Sequence, residues 1–285
     1  MRILVLGASG MLGHTVYRVI GEDPQNEVIG TLRSEWANRH LPKRANSRII
    51  AGIDVESPDQ LVSAFAEARP DVVINCVGVV KQLQSAHDPL ITIPINSILP
   101  HRLANIAAAA GARLIHVSTD CVFTGAKGGY LESDAPDALD LYGRTKLLGE
   151  VDRPNAITLR TSIIGPELEN GATGLVGWFL AQQGKVKGFS KAVFSGFPTV
   201  ALARIIRDKV IPHSGLHGVY HVSADPIDKL TLLKLVREQY GKTIEIEPSD
   251  TPVIDRSLNS DRFRAAVGYM PPKWPELVRD MHDYG

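Results

Sequence analysis

Cysteine is scarce in this chain, net charge is nil, and no long apolar run interrupts it. Two cysteines in 285 residues, Cys76 and Cys121, exclude a disulfide framework, and they lack the CxxC spacing of zinc or redox sites. Thirty-one basic residues balance 31 acidic ones, so the electrostatic footprint of a nucleic-acid binder is missing. The longest weakly polar stretch, Leu103 to Ala112, contains Asn105 and is too short to span a bilayer. The N-terminal apolar run is broken by glycines, unlike a secretion signal. These absences leave an expected soluble, cytoplasmic chain with no metal site, long enough to bury a core without staples.

Short apolar runs are plentiful instead. Ile3 to Leu6, Glu27 to Gly30, Arg48 to Ala51, Asp71 to Ile74, Arg113 to Val117 and Ala156 to Arg160 are continuous rather than alternating. That pattern suits parallel strands covered on both faces. Between them lie segments of helical period, with Leu12, Val16, Val19 and Ile20 on one face and Ile95, Leu99, Leu103, Ile106 and Ala110 on another. The expected class is α/β, a doubly wound parallel sheet with a smaller C-terminal substrate-binding domain. Beyond residue 165 glycine and proline become dense, while Gly218 to Val222 reads as one more strand of the main sheet. The expected division is 1–162 with 197–222 for the dinucleotide-binding domain and 163–196 with 223–285 for the substrate-binding domain.

The turn Gly7-Ala8-Ser9-Gly10-Met11-Leu12-Gly13 joins the first strand to the first helix. Glycines there let backbone approach a pyrophosphate, and the helix start offers it unpaired N–H groups. A fold preferring NAD places a carboxylate after its second strand. Here that strand ends Thr31-Leu32-Arg33-Ser34, so Arg33 is either a solvated side chain or the partner of a 2′-phosphate, which favours NADP.

Tyr142 and Lys146 stand four residues apart, on one helix face. A ketone reduced by hydride becomes an alkoxide that needs a proton, and a phenol can supply it. An ammonium roughly 4 Å away contributes on the order of 4 kcal/mol at an effective dielectric of 20, about three pK units in favour of tyrosinate. Tyr269 and Lys273 repeat the spacing, but Pro271 and Pro272 separate them and break any helix. Ser118-Thr119-Asp120-Cys121, closing the fifth strand, supplies hydroxyls at the sheet edge where ligands of such folds sit. Ser118 and Thr119 both qualify by chemistry.

These motifs together resemble the extended short-chain dehydrogenases/reductases, and within them the dTDP-4-dehydrorhamnose reductase family. The resemblance rests on Gly7, Gly10 and Gly13, on Ser118 to Phe123, on Tyr142 to Lys146 with Gly149-Glu150, on Leu159 to Ser162, on Gly196 to Thr199 and on Gly218 to His221. It implies a reductase of the C4 ketone of a nucleotide-linked 4-keto-6-deoxy sugar, with NADPH preferred over NADH. It assigns the catalytic hydroxyl to Thr119 beside Tyr142 and Lys146, and gives Lys146 the nicotinamide ribose as well. Cofactor contacts would come from Gly7, Ser9, Gly10, Met11, Leu12, Gly13, Arg33, Asp54, Val55, Cys76, Val77 and Gly78. Thr119, Asp120, Cys121, Tyr142 and Ile163 would face the sugar, and Arg256, by charge and position, its diphosphate. Cys121 and Ile163 stand where rhamnose-forming members usually carry aromatic residues, which leaves the particular sugar open. The segment Asn75 to Gln82 resembles members found with capsule and O-antigen synthesis, and that resemblance implies a UDP-linked 2-acetamido-4-keto-6-deoxy sugar as an alternative substrate. A non-catalytic NADP-binding regulatory subunit is the alternative of another class. A homodimer is the assembly considered, with neither nucleic acid nor membrane as partner.

Overall fold

The computed structural model describes residues 1–168 and 174–285. Seven parallel strands form the main sheet: β1 (Arg2–Leu6), β2 (Glu27–Leu32), β3 (Ser47–Ala51), β4 (Val72–Asn75), β5 (Arg113–Thr119), β6 (Ala156–Thr161) and β7 (Gly218–His221). Their spatial order is β7-β6-β5-β4-β1-β2-β3. The direction of winding reverses between β1 and β4, the place where open α/β sheets bind ligands beyond their strand ends.

The continuous apolar runs have the double burial that parallel strands need. In β1, Ile3 and Val5 enter one core cluster while Leu4 and Leu6 enter another on the opposite face, all four fully buried. Helix α1 (Met11–Ile20) covers the first face with Val16, Val19 and Ile20. Helices α2 (Pro58–Ala68) and α3 (Leu99–Ala109) cover the second with Leu61, Phe65, Leu99 and Leu103. Each such side chain contributes about 1.5–3 kcal/mol on burial, so the sheet is the stable frame on which the strand ends are held.

The expected face of the segment preceding β5 needs correction. Ile93–Ile98 is a π-helical turn leading into α3. The wider turn shifts the buried stripe to Leu99, Leu103, Ala104 and Ala107, leaving Ile95 and Ile106 half-buried and Ala110 exposed. It also turns Asn96 and Ser97 inward.

Other strands lie outside this sheet. Ile163–Ile164 pairs with Phe197–Pro198, Ala192–Phe194 sits between Ile227–Asp228 and Ile254–Asp255, and Lys185–Phe189 pairs with Glu245–Ser249. Among the described residues no helix is long and apolar enough to cross a membrane.

Candidate active site

Nearly all of the sequence-selected residues follow the C-terminal end of a strand, and they line one edge of the sheet. Thr119 ends β5 and Asp120 and Cys121 follow it, Cys76 to Gly78 follow β4, Gly7 to Gly13 follow β1, Arg33 follows β2, and Asp54 and Val55 follow β3. At about 4.8 Å per strand, the row from β5 to β3 is roughly 19 Å wide.

The glycine turn is tight for steric reasons. Gly7 adopts φ +78°, its N–H donates to the Thr31 hydroxyl at 3.3 Å, and a side-chain carbon there would run into Val77. A side-chain carbon on Gly13 would overlap the Gly7 carbonyl, so only glycine lets α1 start this close to β1. Gly10 is exposed and would meet only the Gly7 carbonyl, at 3.5 Å, so it is open to an incoming group. Helix α1 has no side-chain cap, which leaves its first N–H groups and its dipole directed at that opening. Ser9 and Met11 are half-buried in the turn and Leu12 is core. His14, buried behind it, donates from Nδ1 to the Gly10 carbonyl at 2.9 Å, and burial lowers its pKa.

Farther along the edge, Arg33 is exposed and makes no ion pair with the described residues. The Asp54 carboxylate accepts from the Glu56 N–H at 3.0 Å, and Val55 packs on the second core cluster. On the other side Cys76 is half-buried, its thiol pushed up to about 12 by burial. The loop it opens is clamped by Asn96, which accepts from the Val79 N–H at 2.9 Å and donates to the Val79 carbonyl at 3.1 Å. Gly78 sits beside Asn96 and the Lys146 ammonium.

Helix α4 (Leu141–Leu148) carries Tyr142 and Lys146. Asp140 caps it, accepting from Gly143 N–H at 2.7 Å, and is held by Lys81 at 2.5 Å. Gly143 lies against the Cys121 carbonyl, where any side chain would overlap it, so the helix can press its phenol onto the β5 loop. Tyr142 is thus desolvated. Burial raises its pKa, the neighbouring Cys121, Asp120 and Asp140 push the same way, and the adjacent Thr119 hydroxyl pulls back.

The Lys146 ammonium donates to the Val117 carbonyl at 2.8 Å. The long side chain ends against the β5 backbone, toward Gly78. Burial lowers its pKa to about 8, while Glu150 pulls it upward. With its pKa raised by desolvation, the Tyr142 phenol keeps its proton at neutral pH and can act as an acid.

The family model described as "RmlD substrate binding domain" matches residues 1–283. The chain belongs to that family. It is thereby an extended short-chain dehydrogenase/reductase, in agreement with the resemblance drawn from its motifs. It is 34% identical to "Methionine adenosyltransferase 2 subunit beta" of Bos taurus, covering 97% of this chain and 88% of the relative. It is 31% identical to "Probable low-salt glycan biosynthesis reductase Agl14" of Haloferax volcanii, over 94% and 87% of the two chains. The solved dTDP-4-dehydrorhamnose reductase of Bacillus anthracis, in complex with NADP, superposes with a TM-score of 0.79 at 20% identity, over 100% and 99%. That likeness establishes the fold.

Within this family member, three motifs that carry no evident chemistry in the sequence converge behind the site. Arg160 and Glu150 form a two-pronged ion pair, Nε to Oε1 at 2.7 Å and a terminal nitrogen to Oε2 at 2.6 Å. Both side chains are only 6% exposed. Ser118 donates to the same carboxylate at 2.8 Å, and His221 Nε2 lies 3.2 Å from Arg160. Ser118, the other candidate hydroxyl, is thus committed to Glu150 and Thr119 faces Tyr142.

Toward the C-terminal part the site meets two cations. Asp120 is 7% exposed, and Arg256 and Lys229 both favour its charged form. Arg256 is anchored through Nε to the Phe123 carbonyl at 2.7 Å. Lys229, at the start of the helix Lys229–Gln239, makes no hydrogen bond or ion pair with the described residues, and burial lowers its pKa. Sequence reading missed Lys229, because its neighbours look like an ordinary capped helix start. Cys121 is half-buried, its thiol pushed up to about 12 by burial and by Asp120. Ile163 is half-buried in the short strand beyond β6. Tyr269 and Lys273 share no helix, and Lys273 instead bonds Asp225 at 2.8 Å.

Proposed function

We propose that the chain reduces the C4 ketone of a nucleotide-linked 4-keto-6-deoxy sugar with NADPH. It is an oxidoreductase of the short-chain dehydrogenase/reductase type, and the finer statement rests on one observation above all. Tyr142 is a half-buried phenol whose pKa is raised by desolvation, so that it stays protonated, and it stands beside the Thr119 hydroxyl at the ligand edge of the sheet. Such a group gives a proton to a nascent alkoxide more readily than it takes one, the sense a reductase needs.

The order of the row supports the cofactor. The open glycine turn fits a pyrophosphate, Arg33 a 2′-phosphate on the next strand, and Asp54 with Val55 the adenine beyond. Bound NADPH supplies the hydride. Lys146, with Gly78 beside it, would hold the nicotinamide ribose from the β5–β4 side. Residues 1–162 and 197–222 would bind the cofactor, and 163–196 with 223–285 the sugar nucleotide; residues 169–173 of that second unit lie outside the described structure. Lys229 and Arg256 are suited to its diphosphate, while Cys121 and Ile163 leave the sugar face small. That small face suits the 2-acetamido alternative, because it gives an added substituent room.

The test is NADPH and NADH oxidation against dTDP-, UDP- and GDP-linked 4-keto-6-deoxy sugars. Turnover with at least one, faster with NADPH, is expected. The 34% identity to a subunit named as part of methionine adenosyltransferase 2 favours a second reading, a non-catalytic NADP-binding regulatory subunit. Tight NADPH binding with no turnover of any panel member would decide for it.

A further inference from the structure

We propose that Asp120 is a positioning residue whose protonation state decides which way the Thr119 hydroxyl points, and so whether Thr119 can donate to the ketone oxygen. The proposal rests on the reductase reading above.

The hydroxyl of Thr119 has one proton and two lone pairs, and the structure gives it three neighbours. Asp120 Oδ1 lies 3.2 Å away, the Cys121 N–H donates to Thr119 Oγ1 at 3.1 Å, and the Tyr142 phenol is the third. The amide can only donate, and an ionised carboxylate can only accept. With Asp120 ionised, the Thr119 proton therefore goes to Asp120 and one lone pair goes to Cys121. The lone pair that remains can only accept, so it draws the Tyr142 proton and offers nothing to a ketone oxygen, itself an acceptor.

Protonation of Asp120 reverses the chain. Its O–H then fills the second lone pair of Thr119, and the Thr119 proton turns toward Tyr142 and the ketone. The phenolic proton is released from Thr119 and faces the same oxygen. One proton enters from solvent and remains on Asp120; only O–H···O partners change. Both hydroxyls then stabilise the developing alkoxide.

The surroundings place this equilibrium within reach. Burial favours the neutral carboxyl and outweighs the opposing groups, which are Arg256 after the strand Ile254–Asp255, Lys229 at the head of its helix, and the Cys121 and Thr119 donors in its own loop. Tyr142 on α4 faces the same carboxyl. A carboxylate that served only as a counter-ion for Lys229 and Arg256 would be favoured by staying charged.

Two measurements test the proposal together. Turnover of wild type at saturating NADPH and keto-sugar is expected to fall roughly 10²-fold, the worth of one transition-state donor, as pH rises through the Asp120 ionisation. Asp120→Asn, whose amide can donate to Thr119 at any pH, is expected to lose that fall. Independently of any sugar, the carboxyl C=O stretch in infrared difference spectra of wild type against Asp120→Asn, with NADP bound, reports the ionisation itself. Thr119→Val, which removes the donor to the carboxylate, is expected to move it to higher pH. An unchanged fall in Asp120→Asn, or an ionisation that Thr119→Val leaves in place, overturns the proposal. A wild type that reduces no panel sugar contradicts the reductase reading instead, and the infrared titration still decides whether Thr119 and Asp120 are coupled.

Discussion

Replacing Glu150 by leucine removes one half of an ion pair that has almost no access to water. Both partners are 6% exposed, two hydrogen bonds of 2.6 and 2.7 Å join them, and the Arg160 guanidinium also lies 5.4 Å from the centre of the Phe123 ring. Breaking a buried pair by removing one partner costs about 3–5 kcal/mol, because the other charge stays buried and unpaired. With an unfolding entropy of about 2.1 cal/mol/K per residue, a chain of this length has about 0.6 kcal/mol/K in total, so melting should drop by about 5–8 °C. Arg160→Met is expected to cost as much. The double variant should recover most of the loss, since replacing both charges by apolar groups is often neutral or stabilising. Thermal unfolding followed by circular dichroism measures all three. A cost below about 1 kcal/mol for either single change, the range of exposed pairs, would refute the claim that this pair is buried and mutually dependent.

Three further outcomes follow from the site. The Lys146 pKa is lowered to about 8, so its ammonium is present below that pH and is lost as pH rises through it. NADPH binding, followed by fluorescence, should weaken across that range, and it should do so at lower pH in Glu150→Leu, which removes the upward pull of Glu150; a flat profile would refute the ribose role. Arg33→Ser should weaken NADPH binding about ten-fold, the worth of one charge-assisted hydrogen bond at an exposed site, and leave NADH binding in place; equal loss for both cofactors would contradict the 2′-phosphate assignment. Lys229→Met should raise KM for the sugar nucleotide without changing NADPH affinity, and an unchanged KM would remove Lys229 from the diphosphate site.

The main sheet was legible because strands buried on both faces must be continuously apolar, as Ile3 to Leu6 are. The ligand edge was legible for a related reason: glycine, hydroxyl and phenol motifs fell just after those runs. The face of the segment before β5 was misjudged because a π turn at Ile93–Ile98 breaks the 3.6-residue period that sequence patterns assume. The same turn hides Asn96, whose partners at Val79 lie 17 residues away. Arg160 did leave a signal, a charge inside an otherwise buried strand, but its partners Glu150 and His221 are distant in sequence and only the fold brings them together. The Tyr142–Lys146 spacing was correct for one helix, yet spacing along a helix does not say where a long side chain ends, and Val117 holds it.

The role of Tyr142 as proton donor in a ketone reduction is tested most directly by NADPH oxidation in wild type and Tyr142→Phe with the best sugar nucleotide of the panel. A loss of roughly 10²–10⁴-fold in kcat, the usual worth of a positioned acid, with NADPH affinity unchanged, is the predicted result. Oxidation by Tyr142→Phe near the wild-type rate would contradict the account.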